Sequence, residues 1–154
     1  MSDHIFEPPL ISTLPSPDSQ VEVDPRLFPG IMGMSGLEQL GPGFRRKSAP
    51  PPIDRLTGYS LNTVERGRVA ATMPATRWLE WQDGLAPEGV AAIPADSAFA
   101  MAAYSTLSPG QACRTIELSM NFCGALSVGD SPLVIEGSVV CSDQDTVLTE
   151  VTMH

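Results

Sequence analysis

Hydrophobic and polar positions alternate in two short runs, residues 59–64 and 68–73, separated by Glu65-Arg66-Gly67. That is the pattern of a β-hairpin closed by a glycine turn. Residues 89–105 (Gly-Val-Ala-Ala-Ile-Pro-Ala-Asp-Ser-Ala-Phe-Ala-Met-Ala-Ala-Tyr-Ser) are apolar nearly all round a helical wheel. About 25 Å of helix without a polar face is a buried helix, and Ser108-Pro109-Gly110 ends it. Three strand candidates follow. In 115–122, Ile116, Leu118, Met120 and Phe122 alternate with Thr115, Glu117, Ser119 and Asn121. The others are 133–141 and 146–153, the latter with Val147, Val151 and Met153 on one side, and turns are expected at 127–131 and 142–145. The order β-β-α-β-β-β predicts an α+β fold, an antiparallel sheet covered by one buried helix.

The first third of the chain breaks this pattern. Residues 1–52 hold ten of the fifteen prolines and five of the thirteen glycines, too many for long regular elements. Within them, 35–40 predicts a single helical turn ended by Gly41-Pro42-Gly43. Arg45-Arg46-Lys47 precedes Pro50-Pro51-Pro52, which reads as a stiff extended spacer. The organisation expected is an N-terminal arm, 1–52, and a folded domain, 53–154.

Composition narrows the function. With 42% of 154 residues apolar and 18% charged, the chain can pack one core. Nine Lys and Arg against 18 Asp and Glu leave a net charge of −9, which excludes broad nucleic-acid binding. Only Arg114 stands against ten acidic groups in 80–154. No apolar run reaches the roughly 18 residues of a membrane span, and Met1-Ser2-Asp3-His4 lacks the order of a secretory signal, so the expected location is the cytoplasm. Cys113, Cys123 and Cys141 fit buried fillers in a reducing compartment. The two histidines, His4 and His154, stand at opposite ends of the sequence, which disfavours a Ser-His or Cys-His nucleophile and a histidine-rich metal site. The chemistry left is that of carboxylates, hydroxyls and backbone amides, without a metal or redox cofactor.

One stretch concentrates such groups. A helix starting near Pro87 leaves its first N–H groups without intrahelical partners, at the positive end of the macrodipole, where they can hold a developing oxyanion. Asp96 lies seven residues past Gly89, two turns on and on the same side. The gap of about 10 Å is too wide for one chain to grip a single carbon, and two chains with antiparallel helices close it. Asp96 also fits an N-cap of a helix restarting after Pro94.

From about Gly36 to Met153 the chain resembles the PaaI-type hotdog-fold acyl-CoA thioesterases. Their pattern "G-x-x-H-G-G-(x)6-D-x-A", a Ser/Thr-Leu-Pro-Gly turn and a "T-x-E-L-x-x-N-F" strand are matched by Gly84, Pro87-Glu88-Gly89, Asp96-Ser97-Ala98, Thr106-Leu107-Ser108-Pro109-Gly110 and Thr115-Ile116-Glu117-Leu118-Ser119-Met120-Asn121-Phe122. Met73-Pro74 and Trp78 match as well. The resemblance implies a curved antiparallel sheet around one long helix, dimers or tetramers, and active sites shared between subunits. It also implies Asp96 as the carboxylate that activates water or attacks the thioester, Thr115 as its orienting hydroxyl, and the N–H of Glu88 or Gly89 from the opposite subunit as the carbonyl's polariser. Candidate substrate-binding residues are Trp81 and Asn121, with Arg66 and Arg68 the basic groups nearest to a coenzyme A phosphate; Trp78 and Arg77 are related candidates, although Trp78 and Trp81 also suit packing against the helix.

The chain departs from the family at particular positions. Pro87 replaces the family histidine and Glu88 the first glycine, Ser142-Asp143-Gln144-Asp145 replaces a turn often basic in relatives, and relatives continue beyond the position of His154 into one more strand. Pro94 removes a helix donor, at about 3 kcal/mol in an ideal helix interior. The leading expectation is an acyl-CoA thioesterase acting through Asp96. The alternative is a non-catalytic hotdog module that binds an acyl thioester or serves in an assembly.

Overall fold

The computed structural model describes residues 28–45, 50–129 and 131–154. Its centre is a four-stranded antiparallel sheet in the order β1-β2-β5-β6, with β1 Ser60–Glu65, β2 Arg68–Met73, β5 Leu133–Ser142 and β6 Val147–Met153. Alternation decides which face is dry: Val69, Ala71 and Met73 on β2 and Ile135 on β5 point inward and are almost fully buried. Across that face lies α5, Ala92–Tyr104, burying Ala95, Ala98 and Ala102. Small residues let it come close. An ideal Cβ built on Gly137, opposite Val69 and Val151 in the ladders, would stand 3.1 Å from the Ala98 carbonyl oxygen. The alanine-rich sequence of the helix thus sets its depth in the sheet, as its apolar circumference predicts.

The hairpin between β1 and β2 is fastened to the far end of α5. Gly67, at φ +77°, donates its N–H to Ser105 Oγ at 2.7 Å, and that fully buried hydroxyl donates to the Ala102 carbonyl at 2.7 Å. Removing the hydroxyl would strand a buried donor, at about 1–3 kcal/mol. Of the proline-rich first third, the described part forms α1 (Phe28–Met32), α2 (Gly36–Leu40) and α3 (Pro42–Arg45). Ser35 caps α2 reciprocally with Glu38. The Gly36 N–H reaches the Leu107 carbonyl at 3.0 Å and the Tyr104 hydroxyl donates to Gln39 Oε1 at 2.7 Å, so α2 sits on the C-terminal end of α5.

Four expectations need correction. Residues 115–122 form no strand: they join no ladder among the described residues, because no strand lies alongside them and an alternating sequence cannot become a strand without a partner. Pro52 is no spacer but the first residue of a helix, α4 (Pro52–Thr57), a position its fixed φ and missing N–H suit. All three cysteines are exposed, Cys113 and Cys123 on a segment that no described element covers and Cys141 at the outer end of β5. Finally, 127–131 is not simply a turn, since Leu126–Ser127 (β4) pairs with Leu85–Ala86 (β3). Arg46 and Lys47 of the basic cluster, like most of the expected arm, lie outside the described residues. No helix among the described residues is long and apolar enough to cross a membrane. The outer side of β6 pairs with no described residue.

The turn from β5 to β6 is organised by one carboxylate. Asp143 Oδ1 accepts from the N–H of Asp145 at 2.9 Å, and from the N–H and hydroxyl of Thr146, both at 2.8 Å. The Asp145 amide first, then the two Thr146 donors, hold the Asp143 carboxyl below its ordinary value. A carboxyl with a lowered native pKa contributes stability above its unfolded pKa, and the contribution is lost as pH falls through the native one. An NMR titration is therefore expected to give Asp143 a midpoint below that of an unfolded aspartate, with the Asp145 and Thr146 amide signals moving alongside it. A midpoint at the ordinary value would show that these bonds do not persist in solution.

Candidate active site

The start of the central helix is built in two stages. Pro87 leads into a 3₁₀ turn, Glu88–Ala91, and regular α-helix begins at Ala92. Val90 donates to the Pro87 carbonyl at 3.0 Å, and Ala92 to Gly89 and Val90. The N–H groups of Glu88 and Gly89 meet no acceptor among the described residues, and both residues are exposed. A free pair of donors at a helix tip is what the sequence predicts there. Pro94 is the third residue of the α-helix and buried, so its missing N–H falls in the first turn, and the Val90 carbonyl finds Ala92 instead. The interior-proline cost anticipated from the sequence does not arise.

Asp96 lies in the second turn of this arrangement, with its side chain in solvent. It caps no helix start, which removes the N-cap reading. Its Oδ1 accepts a 2.7 Å hydrogen bond from the Thr115 hydroxyl, nineteen residues further along the chain. This bond orients the carboxylate while leaving Oδ2 open to water or to a reacting carbonyl. Thr115 is thus brought to Asp96 as the resemblance implies. Glu88 and Gly89 are not: three residues of 3₁₀ rise and four of α rise place Gly89 about 12 Å along the axis.

The remaining candidates divide. Trp81 is 78% exposed and Trp78 64% exposed, so neither packs against the helix within its own chain. Trp81 stands on a rigid loop that leads into the helix tip: its N–H bonds the Leu85 carbonyl at 2.8 Å, Gly84 turns at φ +77°, and the Gly84 N–H bonds Glu80 Oε1 at 2.9 Å. Asn121 is exposed on the unpaired segment and makes no bond to Asp96. Arg66 and Arg68 are not brought to the site. Arg66 donates to the Thr106 carbonyl at 3.0 Å, ten residues past Asp96 and about 15 Å along the helix. Arg68 lines a groove on the sheet face opposite α5, with Glu65, Glu136 and Glu150. The hairpin that carries both arginines is fixed to the C-terminal end of α5, away from Asp96 within the protomer, by Gly67 and Ser105. Sequence reasoning also missed the β3–β4 clamp, which ties the approach to the helix tip (Leu85, Ala86) to the end of the Thr115 segment (Leu126, Ser127). Two-residue ladders leave no periodic signal. Among the described residues no three His, Cys, Asp or Glu side chains gather as a metal site requires.

Residues 88–154 match the family model of the thioesterase superfamily. The match covers the central helix and everything after it, somewhat less than half of the chain. The matched stretch begins at the helix tip and takes in Asp96, Thr115 and Asn121; Trp81, Arg66 and Arg68 lie outside it. Solved structures agree in fold. A thioesterase family protein from Silicibacter pomeroyi is 26% identical, with 67% of this chain and 74% of that chain covered and a TM-score of 0.62. The E. coli PaaI protein from the phenylacetic acid degradation operon is 20% identical over 67% of this chain and 72% of its own, with a TM-score of 0.61. A phenylacetic acid degradation-related protein from Ralstonia eutropha is also 20% identical, over 71% and 83% of the two chains, with a TM-score of 0.64. No curated protein matches the sequence. The central helix and the antiparallel sheet packed on it are the hotdog architecture that the resemblance implies.

Proposed function

We propose that this thioesterase-superfamily chain hydrolyses an acyl thioester, with Asp96 as the acting carboxylate and two protomers completing each site. The supporting observation is the 2.7 Å bond from Thr115 to an otherwise open Asp96 on the helix of a thioesterase domain. Asp96 Oδ2 takes a proton from water as the water oxygen attacks the thioester carbonyl. The Glu88 or Gly89 N–H of the second protomer stabilises the oxyanion. The carbon–sulfur bond then breaks and the thiolate leaves, receiving the proton that Asp96 holds, so that thioester and water become acid and thiol. A thiol, with a pKa near 8.5, leaves without a strong general acid, which suits a site that has none. Direct attack by Asp96 on the carbonyl uses the same residues and gives the same products. No metal or redox cofactor takes part.

The alternative is a non-catalytic module that only binds the thioester. It draws support from Glu88, which puts a charged side chain where the family's glycine lets substrate approach the backbone. A thiol-release assay over short and medium acyl thioesters, on coenzyme A and on smaller thiols, separates the two. Enzyme-dependent release of thiol is the expected result. Saturable binding with no release from any thioester would establish the module instead.

A further inference from the structure

We infer that the Glu88 side chain is the specificity-determining group of this site: it favours acyl groups with a hydroxyl or amino donor close to the thioester carbonyl and turns away those with a carboxylate there. The inference rests on the hydrolase reading above, in which the N–H of Glu88 or Gly89 from one protomer polarises the carbonyl that the other protomer's Asp96 acts on. Whichever of the two N–H groups is used, the Glu88 side chain springs from that residue or from its neighbour. Glu88 opens the 3₁₀ turn Glu88–Ala91, and its side chain is exposed. Side chains on a right-handed helix lean toward its N-terminus. A residue at the tip therefore extends past the free donors, toward an approaching carbonyl, rather than back along α5. Its two methylenes keep the carboxylate within a side chain's length of the thioester.

A carboxylate placed there acts on the acyl group in two ways. Closing a substrate over it takes water from a full charge, which is costly unless a donor replaces that water. A hydroxyl or amino group a few bonds from the carbonyl supplies such a donor, and hydrogen bonds to a charged acceptor are the stronger kind. A carboxylate on the acyl group instead meets a like charge at close range, in a site partly shut off from water, where repulsion is strongest. A plain alkyl group does neither and stands between. A glycine at this position leaves the backbone open to any acyl group; Glu88 sets which group reaches it.

The test measures kcat/KM for thiol release from four coenzyme A esters, taken as two pairs that differ by a single group: 3-hydroxybutyryl against butyryl, and methylmalonyl against isobutyryl. The full chain is compared with its Glu88→Gln and Glu88→Gly variants. The unmodified chain is expected to favour 3-hydroxybutyryl over butyryl by roughly tenfold, and isobutyryl over methylmalonyl by roughly tenfold or more. Glu88→Gly should bring the first preference to within about twofold of none. Both variants should weaken the second preference several-fold without abolishing it, because Asp96 still opposes an anionic acyl group. Each ratio is taken within one protein, so a variant that is merely slower or partly unfolded lowers both members of a pair and leaves the ratio unchanged. No preference in the unmodified chain, or the same ratios in all three proteins, would overturn the inference and leave the hydrolase reading standing. Release from none of the four esters by the unmodified chain overturns the hydrolase reading, and this inference with it.

Discussion

Asp96→Asn is expected to lower kcat for thioester hydrolysis by roughly 10²–10⁴-fold while the protein stays folded. The amide oxygen of asparagine can still accept the Thr115 hydroxyl, and the side chain is exposed on the second turn of α5, so neither packing nor helix geometry is disturbed. What is lost is the ability to take a proton or to form an acyl bond. Thr115→Val, which removes the orienting donor and keeps the carboxylate, should cost less, about tenfold. Thiol release reads the rate and far-UV circular dichroism reads the fold. An Asp96→Asn protein with full turnover would show that the carboxylate does no chemistry, and the mechanism would have to be sought at another group.

Gly137→Val is expected to destabilise the fold by about 3 kcal/mol, a fall in Tm of about 10 °C for a chain of this size. Gly137 is where sheet and helix come closest. A Cβ there would lie 3.0 Å from a Val69 methyl and 3.1 Å from the Ala98 backbone oxygen, and valine adds two further carbons. The methyl can rotate away, but the helix backbone cannot without lifting Ala95, Ala98 and Ala102 off β2 and β5. Gly137→Ala should fall between, because its neighbours need to give by only a few tenths of an ångström. Thermal and urea denaturation measure both. A valine variant with an unchanged midpoint would place the helix further from the sheet than described here.

What the sequence reveals of this fold is whatever is local or periodic. The β1–β2 hairpin follows from alternation around Glu65-Arg66-Gly67, β5 and β6 from apolar runs separated by a polar turn, and α5 from its apolar circumference. Residues 115–122 show the boundary of that method. Alternation reports a segment able to enter a sheet, but a ladder needs a neighbour, and no described strand lies beside it. The same holds for the cysteines and tryptophans: a side chain's affinity for the core does not say whether the core reaches it. At the site, the seven-residue spacing from Gly89 to Asp96 is legible because helix geometry converts spacing into position. The approach of Thr115 to Asp96 is carried by the tertiary fold, and in the sequence only the family pattern points to it. Arg66 and Arg68 stand away from Asp96 within one protomer, a placement that charge without topology does not reveal.

The unpaired outer side of β6 has a consequence for handling the protein. Alternate residues of this seven-residue strand turn their backbone donor and acceptor away from β5, where no described residue meets them and no lysine or proline on the strand discourages a passing chain. Glu150 is the single charge on the strand. That one carboxylate is the only electrostatic guard along the rim, so replacing it with an uncharged residue would leave the purified chain freer to grow edge to edge into fibrils.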